Sequence, residues 1–269
     1  KTISKPAARS PCPLSDISSA RPSSTVALAR PATGAPELFM VRRHENTSFG
    51  AAYAFPGGVV DPEDRMVHNH CAGLSARDAN ARLGVSGEGL DYYSTAIREL
   101  FEETGVLLAD VDRVVEGLGP ARDALNDGND NWADFVTRNH LELNCDALHY
   151  FSHWITPPSF DKRYSTRFFV AAMPEGQTAS HCGTELIDSR WSTAQDMLDA
   201  GRSGDVHLHF PTIKTLETLA RHKTFEALMS WAAECVDWGV TTMVPMIIER
   251  AGRPEVVLPG DRDYPGLDS

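Results

Sequence analysis

No apolar run in this chain of 269 residues approaches the roughly 18–20 residues that a membrane crossing needs. Positive charge is scarce as well, with 25 Lys and Arg against 37 Asp and Glu and a net charge of −12. A broad electrostatic grip on nucleic acid needs a basic footprint, so that class of partner is excluded. Any phosphate-rich ligand must then be met by a local device rather than by the overall field. Cysteine is sparse and odd in number (Cys12, Cys71, Cys145, Cys182 and Cys235), with no C-x-x-C spacing. That excludes a zinc ribbon and a disulfide framework and fits a reducing, cytoplasmic setting. The closing Leu267-Asp268-Ser269 is not the S-K-L address. There is no G-x-S-x-G elbow, no P-loop pattern and no internal repeat.

What is present centres on Arg98-Glu99-Leu100-Phe101-Glu102-Glu103-Thr104-Gly105. Ile97, Leu100, Phe101 and Thr104 recur at helical spacing and give one face for a core. Gly105 suits a left-handed helix end, and Asp91 or Ser94 suits a helix start. Glu99, Glu102 and Glu103 stand at i, i+3 and i+4, close enough for their carboxylates to converge. Like charges so placed repel, and a hard divalent cation, Mg²⁺ or Mn²⁺, turns that repulsion into binding. A solvated acidic helix face is the competing reading of the same triplet.

Taken with Phe55-Pro56-Gly57-Gly58 upstream, Arg98-Glu99-x-x-Glu102-Glu103-x-Gly105 resembles the Nudix box. That family hydrolyses a nucleoside diphosphate linked to another group. Counted from Gly58, the first acidic position of the pattern falls on Asp64 rather than on Glu, and residues 65–97 stand where the pattern has a seven-residue spacer. One branch carries a long insertion there, the branch of the peroxisomal coenzyme A diphosphatase. Trp154-Ile155-Thr156-Pro157, Arg163-Tyr164-Ser165-Thr166-Arg167-Phe168-Phe169, Asp188-Ser189-Arg190-Trp191 and Pro211-Thr212 resemble further elements of that branch, with Ser165 where an acid is expected. The likeness covers roughly residues 25–225.

The resemblance implies an α+β fold, a helix–sheet–helix sandwich with a mixed sheet and extra helices from the insertion and the C-terminal region. It implies Mg²⁺ or Mn²⁺ held by Glu99, Glu102 and Glu103, with Glu99 also a candidate base. Glu185 is a candidate further ligand or base. Arg98 is expected to orient the carboxylates through a bidentate pair. Gly57 and Gly58 would set the substrate-side turn, where glycine lets backbone approach a phosphate, and Arg42, Arg43 and Arg167 are candidate phosphate contacts. The implied reaction is cleavage of coenzyme A or acyl-CoA into 3′,5′-ADP and a 4′-phosphopantetheine species. ADP-ribose or NADH is the alternative substrate, and a non-catalytic nucleotide-binding module the alternative class. The partner is a small nucleotide-linked molecule, with neither nucleic acid nor membrane, and a homodimer is left open.

Along the chain, residues 1–24 read as a disordered or leader-like tail and 25–269 as a single domain, with an insertion at about 65–90. Strands are expected at 25–29, 38–41, 106–108, 150–155 and 167–173, and helices at 75–83, 120–141 and 193–200, the last ended by Gly201. Pro211 opens a helical pattern that continues to Cys235, and 246–248 with 256–258 form a closing hairpin. Asn46-Thr47-Ser48 matches a glycosylation sequon; His68, His70 and Cys71 lie close together in the insertion; and His207-Leu208-His209 puts two imidazoles on one side. None of these three is expected to carry function.

Overall fold

A computed structural model of the chain describes residues 20–43, 51–110, 118–183, 186–250 and 252–264. The leader-like stretch to residue 19, the sequon and the closing residues 265–269 lie outside the described residues. In chain order come strands β1 (Arg21–Arg30), β2 (Glu37–Arg43), β3 (Tyr53–Ala54) and β4 (Gly57–Val59), then helix α1 (Pro62–Met66). β5 (Cys71–Ala72), α2 (Ala76–Leu83), α3 (Gly89–Thr104), α4 (Leu118–Asn126) and α5 (Trp132–Arg138) follow. Next are β6 (Leu143–Asn144), β7 (His149–Ile155), β8 (Tyr164–Ala172), β9 (Leu186–Thr193), α6 (Ala194–Ser203), α7 (Phe210–Leu219) and α8 (Phe225–Trp238). β10 (Thr242–Met243) and the hairpin β11 (Met246–Arg250) with β12 (Arg253–Val257) close the chain.

The main sheet runs β10-β7-β8-β1-β2-β3, with β4 joined to β1 and β9 to β2. β1 lies parallel to β8 from Arg21 opposite Tyr164 to Ala29 opposite Ala172, and antiparallel to β2 and β4, so the sheet is mixed as expected. Because side chains alternate across a strand, β1 feeds two cores. Val26 and Leu28 face α3 and α5, meeting Ile97, Leu100, Phe101, Trp132 and Phe135. Ala27 and Ala29 face α6, α7 and α8, meeting Met197, Leu216 and Leu228. Both layers are buried, which is the helix–sheet–helix sandwich. No helix among the described residues is long and apolar enough to cross a membrane.

Several expected boundaries move. β1 starts at Arg21, because Ser23 and Ser24 are already inside the sheet. Val106, Leu107 and Leu108 are buried, yet they form a linker rather than a strand. The expected helix over 120–141 is two, α4 and α5, parted at Gly128, which sits at φ 68. α6 runs through Gly201 and ends at Gly204, φ 85. Gly201 is there for packing, since a Cβ would stand 2.9 Å from Leu208 Cδ1. α3 begins after Glu88 at φ 64, so Asp91 and Ser94 lie inside the helix instead of capping it. The helical pattern from Pro211 to Cys235 divides into α7 and α8.

The insertion folds onto α3. Asp91 accepts from Arg65 Nη2 at 2.8 Å, His68 Nε2 stands 2.6 Å from its other oxygen, and His70 Nδ1 lies 2.9 Å from the Leu141 carbonyl. Val67, Leu74, Ala79 and Leu83 extend the core beneath it. Its two histidines therefore serve as ties between the insertion and the body.

Candidate functional site

The apolar face of α3 is fully buried at Ile97, Leu100 and Phe101, as the helical spacing predicts. That docking fixes the rotation of the helix and turns Arg98, Glu99, Glu102 and Glu103 toward β4 and α1. Arg98 is the hub. Its Nε and Nη2 lie 3.0 Å from the two oxygens of Asp64, its Nη1 is 2.9 Å from Glu99 Oε1 and 3.0 Å from Glu102 Oε2, and Nη2 also donates to the Val59 carbonyl. The bidentate pair is thus made with Asp64, and the two glutamates share the remaining nitrogen. Burial alone would weaken the Arg98 cation, but Glu99 and Asp64 outweigh it and raise its pKa above the ordinary guanidinium value.

Asp64 is the residue that sequence reasoning placed in the pattern without giving it a role. It is completely buried and, besides Arg98, accepts from Thr95 Oγ1 at 2.8 Å, Ser94 Oγ at 3.2 Å and the Asp61 backbone N–H at 2.8 Å. The last bond belongs to a capping box at the start of α1. Residues 65–97 loop out and return, so the displaced spacing still delivers the acid to its arginine. The aspartate-for-glutamate exchange is absorbed by α1 holding the shorter side chain close.

Glu102 is pushed up to about 7, chiefly by burial, with Glu99 and Asp64 adding repulsion that the Arg98 contact does not cancel. Glu103, also buried, accepts the Gly57 backbone N–H at 2.8 Å. The C-terminal end of α3 is closed by Gly105 at φ 76 and by Arg122, which donates to the Glu102 carbonyl (2.9 Å) and the Glu103 carbonyl (2.7 Å). A cation at this end also opposes the helix dipole. Among the described residues, no three Asp, Glu, His or Cys side chains are already gathered to hold a metal. Glu99 and Glu102 meet at Arg98, whereas Glu103 turns to Gly57.

Gly57 and Gly58 join this acidic cluster to a cleft. A Cβ on Gly58 would lie 2.2 Å from Glu99 Oε1, and one on Gly57 would lie 2.2 Å from the Ser24 carbonyl. The close approaches that demand glycine are therefore to the chain's own helix and strand. Both glycines also line a cleft of about 660 Å³ on the α7 side of the sheet. Its floor includes Ser23, Thr25, Thr166 and Phe168, and its walls Phe55, Trp154, Pro157, Tyr164 and Phe210. Trp154 packs edge-on to Phe210 at 6.1 Å, setting one wall against the start of α7. Among the described residues no Asp or Glu lines the cleft, although the chain as a whole is strongly acidic. In the sequence Trp154–Pro157 and Arg163–Phe169 stand out only as a likeness; the two-residue period that puts Tyr164, Thr166 and Phe168 on one face of β8 is the local signal that they share the cleft.

A family model described as the NUDT19 Nudix domain matches residues 77–219, which include α3 and, of the strands at the cleft, β7 and β8. The chain belongs to this family of Nudix hydrolases. Human acyl-coenzyme A diphosphatase NUDT19 is 24% identical over 87% of this chain and 73% of its own length. The Xenopus laevis protein of the same description is 22% identical over 85% and 71%. A solved Nudix hydrolase from Alicyclobacillus acidocaldarius superposes with TM-score 0.65 at 27% identity, covering 78% of this chain and 96% of its own.

Within this Nudix hydrolase the other candidate residues separate. Arg167 does not reach the cleft. It is buried on the opposite face of the sheet, donating to the Leu83 carbonyl at 3.3 Å and lying 4.2 Å from the Tyr92 ring. As every second residue of β8 faces the helices of the insertion, this arginine ties the insertion down instead of meeting phosphate. Arg42 stands on β2 opposite Tyr53 and Asp188 and is not among the residues lining the cleft. Arg43 is placed only as backbone at the end of β2, and Glu185 lies outside the described residues. Of the paired imidazoles, expected to be ordinary, His209 lines the cleft at the start of α7, while the His207 carbonyl accepts the Tyr53 N–H.

Proposed function

We propose that this Nudix hydrolase cleaves the diphosphate of coenzyme A or acyl-CoA in a divalent-metal-dependent reaction, releasing 3′,5′-ADP and a 4′-phosphopantetheine species. The observation that carries the reading is the junction at Gly58, where the Arg98-bound Glu99 meets one end of a large and mainly apolar cleft lined by no Asp or Glu among the described residues. The relatives described as acyl-coenzyme A diphosphatases support the choice of substrate.

The donor set fits a hard divalent cation, Mg²⁺ or Mn²⁺. Glu99, Glu102 and Glu103 offer carboxylate oxygens alone, and the pKa of Glu102 is raised chiefly by burial, with repulsion from Glu99 adding to it. Such an ion, when bound, lowers the pKa of water and offsets charge on phosphate oxygens. The protein does the rest. Asp64 fixes the Arg98 fork, and Arg98 in turn holds Glu99 and Glu102 at the cleft end. Glu103 braces the Gly57 turn, so the backbone presenting the diphosphate is fixed to the helix carrying the acids. Glu99 takes the proton as a water oxygen bonds to phosphorus and the bridging P–O bond breaks.

The deciding experiment incubates the protein with CoA, acetyl-CoA, NADH and ADP-ribose, with Mg²⁺, Mn²⁺ or chelator, and separates the products. Release of 3′,5′-ADP from the CoA compounds, abolished by chelator, is the expected result. Cleavage of ADP-ribose or NADH without cleavage of either CoA compound would overturn the substrate, and retained activity in chelator would overturn the metal.

A further inference from the structure

The cleft does not end at the aromatic wall. It continues to the β11–β12 hairpin, where Ile247 and Val256 line it together with Pro245 and Phe160. Ile247 and Val256 are direct cross-strand partners, so their side chains share one face of the hairpin. They are 57% and 41% exposed, and Phe160, held by its N–H on the Pro157 carbonyl, is 53% exposed. The alternate position on β12, Val257, is buried at 3% and anchors the hairpin, and Leu258 beside it packs against the second core. The hairpin therefore has an anchored face and an open apolar face, and the open one looks into the cleft. Arg250 of the hairpin pairs with Glu255 and Asp263.

The geometry points to this face, Ile247 and Val256 with Phe160 opposite, as the subsite for the acyl chain of the substrate, a specificity element of the CoA reading on which it rests. The spacing supports it. β10 pairs with β7 beside Trp154, so the chain leaves the sheet at the edge farthest from Gly58 and enters the hairpin there. From β4 through β1, β8 and β7 to β10 is four strand spacings, roughly 19 Å. An extended pantetheine arm bridges such a span, which brings a thioester bound by its diphosphate at Gly58 to the hairpin. Beyond the sulfur the unacylated compound has nothing to bury, whereas an alkyl chain covers three exposed apolar side chains. Each methylene so buried is worth roughly a factor of four in affinity.

Calorimetric titration in chelator, where turnover is blocked, compares CoA with dodecanoyl-CoA. Wild type is expected to bind the acyl compound at least about 10-fold more tightly. The Ile247→Ser/Val256→Ser double variant is expected to lose most of that preference while keeping its affinity for CoA. Ile187→Ser, an exposed apolar residue away from the cleft, serves as control and changes neither. A preference that survives in the double variant, or none in wild type, overturns the subsite even if CoA is hydrolysed. A preference lost in the double variant of a protein that hydrolyses neither compound sustains the subsite and overturns the catalytic reading instead.

Discussion

Arg98 is the side chain whose loss is felt furthest, because its fork joins a fully buried carboxylate to two partly exposed ones. Arg98→Met leaves Asp64 in the interior without its cation, and breaking a buried pair in this way costs about 3–5 kcal/mol. The urea midpoint is expected to fall accordingly, and Arg98→Lys to recover only part of the loss, since an ammonium cannot pair bidentately. Glu103→Gln is expected to behave differently. Its amide oxygen can still accept the Gly57 N–H, so circular dichroism and melting stay close to wild type while turnover drops by ~100-fold or more. Glu102 carries a pH effect. Its carboxyl is raised from 4.5 to about 7 in the fold, so the stability it contributes is fully present below pH 4.5 and is lost as pH rises through about 7. Without metal, wild type is expected to lose roughly 1 kcal/mol between pH 6 and pH 8 that Glu102→Gln does not lose. Divalent affinity is expected to strengthen over the same window, because the ion must displace that proton.

At the scale of elements, the glycines of β4 make opposite demands on their neighbours. Gly57 packs against backbone, where a Cβ would stand 2.2 Å from the Ser24 carbonyl, and neither strand can yield easily. Gly58 packs against the end of the Glu99 side chain, which can rotate away. Gly57→Ala is therefore expected to lower the melting temperature markedly. Gly58→Ala is expected to keep stability but lose activity by at least ~10-fold, since Glu99 no longer holds its position. Melting curves and kcat for the two variants distinguish these outcomes. α3 itself was legible in sequence, since the period of Ile97, Leu100 and Phe101 and the stop at Gly105 are local properties. Its start was not, because Asp91 and Ser94 are good caps in isolation but are drawn inward by His68 and Asp64. Gly201 departs from expectation for a similar reason: a helix-ending residue by propensity, it lies inside α6, where Leu208 packs close against it.

For the molecule as a whole, the insertion is part of the core. Val67, Leu74, Ala79 and Leu83 are buried against α3 and the sheet, and Arg167 is tied to the end of α2. Replacing 68–87 by a short linker is expected to expose that core, abolish a cooperative urea transition and bring on binding of a hydrophobic dye. A shortened chain that melts cooperatively near wild type would show the segment to be dispensable.

The sequence by itself determined the acidic helix face, its arginine and the glycine turn. These follow from short-range spacing and from the alternation of apolar residues, and they survive any rearrangement of loops. Only the tertiary structure decided which groups meet across the chain: Asp64 with Arg98 over a long insertion, Arg167 on the far side from the cleft, and a C-terminal hairpin opposite Phe160. Those outcomes rest on strand order and on which face of a strand a residue takes. Both are set by packing between segments far apart in sequence, where periodicity carries no information.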